Sequence, residues 1–189
     1  MTKTRLSGKE VILVKTKTSG ARTKYSVTAI PYKKSYIILN TSFSNRAVLK
    51  SLNSKKFSFL GSRKNVLSEQ YIGNYKADII ISTEQKTIIE IKSVISLLPN
   101  ANFPTVYSQR GIDQLYKLIG LMQVGYKVCY FIISLNPYVN QIHINSKITE
   151  YHALLISAQE QGMVLKAYGC KINNNLLKIS KEIPILFSH

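Results

Sequence analysis

Hydrophobic and polar positions alternate along this chain in blocks that predict many strands and a few helices. In the first third, strand composition occupies residues 9–16, 23–30 and 34–40. Runs rich in β-branched and aromatic residues, bounded by glycine and proline, are typical of strands. We therefore predict a small antiparallel sheet within an N-terminal β region that covers residues 1–42.

Three stretches carry apolar residues at helical spacing: residues 43–52, 108–124 and 148–161. The second is the clearest, because its apolar residues recur every three or four positions and so share one face. That face consists of Ile112, Leu115, Leu118, Ile119 and Met122. We predict a helix for each of the three stretches.

The remaining apolar runs predict strands, and a segment with proline at both ends, residues 99–104, predicts a loop. The strands are at residues 64–71, 75–82, 86–94, 127–134, 163–168 and 176–179. From residue 43 to 134 the order is helix, three strands, helix, strand. This α/β order resembles the αβββαβ core of the PD-(D/E)xK nucleases, a restriction-endonuclease-like fold, and we assign it to residues 43–189.

Two acidic residues lie inside apolar runs that should form buried strands. Asp78 precedes Ile79-Ile80-Ile81, and Glu90 lies between Ile89 and Ile91. A three-residue loop between these strands would place Asp78 directly opposite Glu90, with Cβ atoms roughly 5 Å apart. Two carboxylates that close repel each other unless a cation lies between them.

A divalent metal is the cation that this arrangement favours. Mg²⁺ and Mn²⁺ bind oxygen ligands and keep waters that a phosphate can displace. Lys92 shares the Glu90 face of its strand, since side chains alternate. It would orient the attacking water or offset charge on the phosphate. The alternative is a solvated Glu-Lys ion pair without a metal, a pattern that a lysine-rich chain also meets by chance.

The charge balance indicates a polyanionic partner. The chain has 26 Lys and Arg against nine Asp and Glu, a net charge of +17. Such repulsion destabilises a fold unless an anion offsets it, and nucleic acid is the usual partner of a basic surface. Basic pairs, among them Arg63-Lys64, are spread over the chain and not gathered in a tail. We expect a basic surface on a folded domain.

Cysteine use and hydropathy predict a cytoplasmic protein without membrane contact. Cys129 and Cys170 lie in apolar surroundings and show no CxxC spacing, so we expect buried, reduced thiols. The first apolar run, residues 11–14, is too short for a secretion signal. No apolar run is long enough to span a bilayer.

Several segments, in order, resemble the sugar fermentation stimulation protein (SfsA) family. The matching segments are Arg22-Thr23-Lys24-Tyr25-Ser26, Asn40-Thr41-Ser42-Phe43-Ser44-Asn45, Glu69 to Asp78, Glu90-Ile91-Lys92-Ser93-Val94, Phe103-Pro104 and Gln109-Arg110-Gly111. The chain departs from the family at Thr105, Ser108 and Gln114, where Asp, Thr and His are usual. The family also usually begins with an OB-like domain. This chain has only part of one, and its open sheet edges suggest a homodimer or sheet extension.

The resemblance implies nucleic-acid binding, and the fold implies metal-dependent hydrolysis. It makes Glu69 a third metal ligand and catalytic residue beside Asp78 and Glu90, although the residue alone suggests a surface glutamate. Arg110, at the start of the long helix, suits a phosphate; a helix-start residue paired with Asp113 or with solvent is the equal alternative. The expected nucleic-acid-binding residues are Arg110, Gln109, Lys76, Arg63 and Lys64.

These expectations lead to two functions from different classes. The first is a Mg²⁺- or Mn²⁺-dependent nuclease that acts on DNA, in preference to RNA, with Asp78, Glu90, Glu69 and Lys92 at its centre. The second is a regulatory DNA-binding protein that keeps the nuclease fold without catalysis. The intact carboxylates favour the first, and the altered loop after Phe103 favours the second.

Overall fold

The computed structural model describes residues 8, 10–16, 22–173 and 176–187. Within them, the three α-helices are α1 (Ser42–Ser51), α2 (Gln109–Gln123) and α3 (Thr149–Glu160), and a 3₁₀ helix spans Lys55–Leu60. The strands are β1 (Ile12–Lys15), β2 (Tyr25–Tyr32), β3 (Ser35–Ile38), β4 (Val66–Ile72), β5 (Tyr75–Ile81), β6 (Thr87–Val94), β7 (Asn100–Phe103), β8 (Lys127–Ser134), β9 (Gln141–Ile144), β10 (Val164–Asn173), β11 (Leu176–Ile183) and β12 (Ile185–Phe187). The fold is mixed α/β and rich in sheet.

A six-stranded mixed sheet forms the centre, in the order β11-β10-β8-β6-β5-β4. Strands β6, β8 and β10 are parallel to one another, whereas β4, β5 and β11 pair antiparallel with their neighbours. Strand β8 is buried from Val128 to Ser134. A strand covered on both faces is apolar almost throughout, which is why residues 127–134 lack polar alternation.

Helices cover the two faces of this sheet. On one face α2 and α3 contribute Ile112, Leu115 and Leu155 to a buried cluster. On the other face α1 contributes Ala47 and Val48, and the 3₁₀ helix contributes Phe57. The edge formed by β4 and β5 extends beyond the central strands, and the site described below lies there.

Two smaller sheets flank the central one. The antiparallel sheet β1-β2-β3 confirms the prediction for the N-terminal region, although Lys9 and residues 17–21 lie outside the described residues. The backbone N–H of Ile38 donates to the carbonyl of Leu135 at 3.0 Å, which joins this sheet to the central one. Among the described strands β1 is an edge, and the predicted homodimer stays a prediction.

The third sheet, β12-β9-β7, was not predicted, and the loop assigned to residues 99–104 is wrong. Strand β7 pairs in parallel with β9, with Ala101 and Phe103 buried and Asn100 and Asn102 exposed. Strands of three or four residues form only when neighbouring strands pair with them, so their sequence pattern is weak. The two flanking prolines therefore led to the prediction of a loop. The predicted order from residue 43 to 134 is otherwise present, with β7 inserted before α2.

Both cysteines are free and buried, as predicted, and burial raises the pKa of each thiol to about 12. Raised values keep both thiols protonated and unreactive at neutral pH. In the described ranges, no helix is long and apolar enough to cross a membrane.

Candidate active site

Asp78 and Glu90 face each other across the β5–β6 hairpin. The ladder pairs Ile79 with Ile89, so the same register places Asp78 opposite Glu90, as the spacing predicted. At this point the two strands separate. An Asp78 carboxylate oxygen, Oδ2, accepts the backbone N–H of Ile91 at 2.8 Å, in place of a strand partner.

Glu90 is only 3% exposed, and both of its carboxylate oxygens are bonded. Oε1 accepts from the Lys92 ammonium at 2.6 Å, and Oε2 accepts from the hydroxyl of Tyr75. Burial, and next the charge of Glu90, raise the pKa of Tyr75 far above its usual range. Tyr75 therefore stays a hydrogen-bond donor at any working pH and fixes the orientation of the Glu90 carboxylate.

Lys92 connects the hairpin to helix α2. Its Nζ donates to Glu90 Oε1 and also to Gln114 Oε1, each at 2.6 Å. Two acceptors hold the ammonium in one place, and its side chain is only 22% exposed. A cation fixed beside an acidic pair is suited to act on a phosphate or on a water molecule near it.

Asp78 is held from a third direction by helix α1. The Asn45 amide donates to Asp78 Oδ1 at 2.9 Å. Burial raises the pKa of Asp78 to about 6, and the charge of Glu90 adds to this. The bonds from Ile91 and Asn45 act in the opposite direction without cancelling the rise. The cost of burying the charged Asp78, and next its repulsion with Glu90, are therefore only partly compensated by the protein's own groups.

Glu69 occupies the next strand, at the position opposite Asp78. The β4–β5 ladder pairs Ser68 with Ile79 and Gln70 with Ala77, but the pair between them is broken. Glu69 has a left-handed backbone, with φ of 55°, which is unusual within a strand. Its exposed carboxylate binds the Lys76 ammonium at 2.8 Å, and this contact lowers the pKa of Glu69.

A cleft of about 460 Å³ joins these groups. It is lined by Glu69, Tyr71, Asn74, Tyr75, Lys76, Ala77, Asp78, Glu90, Arg110, Asp113, Gln114 and Lys117. Four of the chain's nine acidic residues, Glu69, Asp78, Glu90 and Asp113, lie in this one cleft. In a chain with net charge +17 such a concentration of acids marks a special site.

The structure brings most of the predicted site residues together. Asp78, Glu90, Glu69, Lys76 and Arg110 all line the cleft, and Lys92 is bonded to two lining residues. Arg110 forms no ion pair with Asp113 in the described residues, so of its predicted alternative only a helix-start residue that faces solvent remains. Asp113 instead accepts from the Gln109 amide at 3.0 Å.

Gln109, Arg63 and Lys64 are not among the residues that line the cleft. The Arg63 guanidinium donates to the carbonyl of Phe57, so it stabilises the 3₁₀ helix. Gln109 bonds to Tyr107 and Asp113 along the start of α2. Ser108, one of the departures from the family pattern, caps α2 by accepting the N–H of Gly111 at 3.2 Å.

Three residues that hold the site have only weak signals in the sequence. Asn45 and Tyr75 were not singled out, and Gln114 was noted only as a departure from histidine. Asn45 lies 33 positions from Asp78, and only its place in a family-like segment pointed to it. Among the described residues, no group of three or more His, Cys, Asp or Glu is arranged to hold a metal, so Asp78 and Glu90 stand as a pair.

Comparison with known proteins gives one consistent family. The family model for the sugar fermentation stimulation protein RE domain matches residues 42–176. A sugar fermentation stimulation protein homolog from Pelagibacter ubique is 27% identical over 168 residues, 86% of this chain and 72% of the relative. The homolog from Aliivibrio fischeri is 28% identical over 78% of this chain, which spans 66% of that protein.

The fold is also similar to a solved structure. The structure of Pyrococcus furiosus SfsA in complex with Ca²⁺ matches with a TM-score of 0.78 at 20% identity. The match covers 90% of this chain and 76% of the archaeal one. The shared architecture therefore includes the sheet and helices that carry the cleft.

Proposed function

Because the chain belongs to the sugar fermentation stimulation protein family, we propose that its cleft is the active site of a Mg²⁺- or Mn²⁺-dependent nuclease that hydrolyses DNA. The observation that carries this proposal is the opposed pair Asp78 and Glu90, in a cleft that holds four of nine acidic residues. A cleft built only to bind phosphate would concentrate cations, not carboxylates. The carboxylates call for a metal.

The donor set fits such a metal. Asp78 and Glu90 each offer two oxygens, and each oxygen keeps one lone pair after its hydrogen bond. Mg²⁺ is commonly held by one or two carboxylates, with waters in its other positions. We also propose Glu69 as a further ligand. Its position opposite Asp78 supports this, but its carboxylate must first leave Lys76.

The chain's own groups have distinct tasks in phosphodiester hydrolysis. A water oxygen bonds to phosphorus while the bond to one ester oxygen breaks, and that oxygen leaves with a proton. A bound metal supplies positive charge beside the phosphate and lowers the pKa of water. The Lys92 ammonium, held by Glu90 and Gln114, positions the water and offsets developing negative charge. Arg110 and Lys117 contact neighbouring phosphates from α2.

The architecture supports the same proposal. With the 3₁₀ helix and β7 as insertions, the order from α1 to β8 is helix, three strands, helix and strand, as in the restriction-endonuclease-like core. We propose that the β1–β3 sheet is part of an OB-like region. The solved Pyrococcus furiosus relative is a complex with Ca²⁺, a hard cation that takes oxygen ligands as Mg²⁺ does.

The second candidate function is a DNA-binding protein that keeps this fold without catalysis. One observation favours it: Glu69 is bound to Lys76, and among the described residues no third acidic side chain is arranged with the pair to hold a metal. In that case Lys92 would serve only to neutralise Glu90 in a buried position. The two functions differ in the effect of a bound metal. In the nuclease the metal supports cleavage of DNA, whereas in the DNA-binding protein it could only stabilise the fold.

A cleavage assay with matched lysine variants tests the proposal. Labelled DNA and RNA structures are incubated with and without Mn²⁺, using the wild type and Lys92→Ala. We expect metal-dependent cleavage that falls on the order of 100-fold in Lys92→Ala, with DNA affinity changed only a few-fold. Lys166→Ala is the matched control, because Lys166 also binds a glutamate at 2.6 Å and is similarly exposed, at 27%, but lies outside the cleft.

A thermal melt tests the metal separately. Millimolar Mn²⁺ should raise the melting temperature of the wild type, because a ligand that binds only the folded state stabilises it. Glu90→Gln should remove this shift, and it keeps a partner for Tyr75. Glu182→Gln, an acid outside the cleft, should leave the shift intact. A wild type that neither melts higher with metal nor cleaves any substrate contradicts the nuclease.

A further inference from the structure

One aromatic side chain in the cleft has no role in the chemistry proposed above. Tyr71, on the edge strand β4, is 71% exposed, more than any other tyrosine in the described ranges. Large aromatic rings are normally packed against other side chains. Tyr75, on the same hairpin, is only 3% exposed and has a clear structural task. The ring of Tyr71 instead lines an open cleft.

The cleft itself relates Tyr71 to the acidic pair. Tyr71 is paired with Lys76, and Asp78 is two residues further along β5, a distance of about 7 Å along an extended strand. Alternation does not continue regularly through Asp78, because Tyr75 and Ala77 pack in one buried cluster and Ile79 and Ile81 in the other. Tyr71 and Asp78 nevertheless line the same cleft, at a separation comparable with the length of one nucleotide.

We propose that Tyr71 is a stacking platform for an unpaired base, so that the cleft accepts single-stranded nucleic acid. The proposal rests on the proposed function, since it places the base next to the phosphate at Asp78. Lys76, Arg110 and Lys117 line the same cleft and supply the positive charge that follows a strand's phosphates. Exposed aromatic rings on which bases stack, combined with cations along the backbone, are the general design for binding single strands. The cleft holds four acids beside these three cations, so most of the positive charge that would attract the strand lies outside it.

The same geometry disfavours a base-paired duplex at this position. In a duplex each base is already stacked and paired, so it can reach Tyr71 only after it is pulled out. A cleft of about 460 Å³ is within the size range of small-molecule sites, and it can admit a few nucleotides of one strand. A duplex would have to lie across its mouth and bind through phosphates alone.

Binding measured by fluorescence anisotropy in EDTA tests the platform without cleavage. The probes are a thymidine strand of about 12 nucleotides, an abasic strand of the same length, and the matching duplex. Tyr71→Leu keeps an apolar strand residue but removes the ring. We expect it to weaken the thymidine strand about 5- to 100-fold. The abasic strand and the duplex should change less than about twofold, since their phosphate contacts are intact.

Two controls complete the design. Tyr71→Phe retains the ring and should bind the thymidine strand within about twofold of the wild type. Tyr25→Leu removes an exposed ring, 55% accessible, from the β1–β3 sheet and should change none of the three affinities. A Tyr71→Leu variant that weakens all three probes equally, or none of them, overturns the platform.

The outcome is separable from that of the nuclease proposal. If the wild type cleaves nothing but Tyr71→Leu selectively loses the thymidine strand, the platform stands and the nuclease fails. If the wild type cleaves DNA and Tyr71→Leu shows no selective loss, the nuclease stands and the platform fails.

Discussion

Glu90 is a buried carboxylate that two neighbouring side chains bind and orient. Lys92 compensates its charge and Tyr75 donates to its second oxygen. Removing one partner of a buried charge pair typically destabilises a protein by about 3–5 kcal/mol, because the other charge is then left unpaired. Asp78 accepts from neutral donors, the Asn45 amide and the Ile91 N–H. Burial, and next the charge of Glu90, raise the pKa of Asp78, and these bonds and the charge of Lys92 oppose the rise only in part.

The pKa of Asp78 gives a prediction about pH. Its ordinary value is 3.8, and the folded protein raises it to about 6, so between these values the folded state holds a proton that the unfolded state has lost. The stability that this proton contributes is complete at low pH and is lost as the pH rises through about 6. In EDTA, Asp78→Asn should therefore gain stability over the wild type as the pH rises from about 4 to 7.

The measurement is the urea midpoint of both proteins across that pH range. Comparing the two proteins cancels the titration of all other groups. Adding Mn²⁺ near neutral pH should reverse the order, because the metal stabilises only the ionised pair. Urea midpoints of the wild type and Asp78→Asn that change with pH in parallel would show that Asp78 titrates normally. They would contradict the raised pKa of Asp78.

At the scale of elements, the β4–β5 hairpin carries much of the cleft and departs from regular strand geometry at one residue. Glu69 has φ of 55°, and the ladder is broken at the pair that it should form with Asp78. A left-handed backbone at a residue other than glycine costs about 1–2 kcal/mol. The break also frees the edge of β5 at the acidic residue. Hairpin geometry and site geometry are thus coupled.

Replacing Glu69 tests this coupling. Glu69→Gly and Glu69→Ala both lose the carboxylate and the Lys76 ion pair, so their difference reports the backbone alone. The glycine variant should be more stable by about 1 kcal/mol, measured by urea denaturation. The neighbouring position is the control: at Gln70, which keeps its ladder pair with Ala77, alanine should be more stable than glycine. The same order at both positions would contradict the left-handed backbone.

At the scale of the whole molecule, charge is divided unevenly between the cleft and the rest of the surface. The cleft holds four acids beside Lys76, Arg110 and Lys117, whereas the chain as a whole has a net charge of +17. The proposed attraction for DNA would therefore arise mainly outside the cleft. Long-range attraction would bring the polymer to the protein, and the cleft would select the strand and the phosphate.

The salt dependence of binding follows from this division. Each phosphate contact releases a counterion from DNA, so the logarithm of the affinity should fall steeply and linearly with the logarithm of the salt concentration. Glu90→Gln and Lys92→Ala should keep nearly the same slope, since each changes one charge in the cleft. Anisotropy titrations with duplex DNA over a range of salt give the slope. A flat response would exclude nucleic acid as the principal partner.

The sequence by itself determined the three helices, the strands of the central sheet and the acidic pair. Hydrophobic periodicity located α1, α2, α3 and the central strands. Residues close in sequence alternate between buried and exposed positions with the period of their helix or strand. Strand parity and a short connection placed Asp78 opposite Glu90, and Lys92 on the same face as Glu90. Both depend only on residues close in sequence, so spacing was sufficient.

The tertiary structure decided what surrounds that pair. Asn45 reaches Asp78 across 33 positions, and Gln114 reaches Lys92 across 22, so each contact depends on how α1 and α2 pack on the sheet. Packing also produces three other features: the β7-β9-β12 sheet, the left-handed backbone of Glu69, and the bond from Arg63 to the Phe57 carbonyl, which takes Arg63 away from its predicted place at the site. Spacing along the chain cannot specify these contacts, because their energies arise only when distant segments meet.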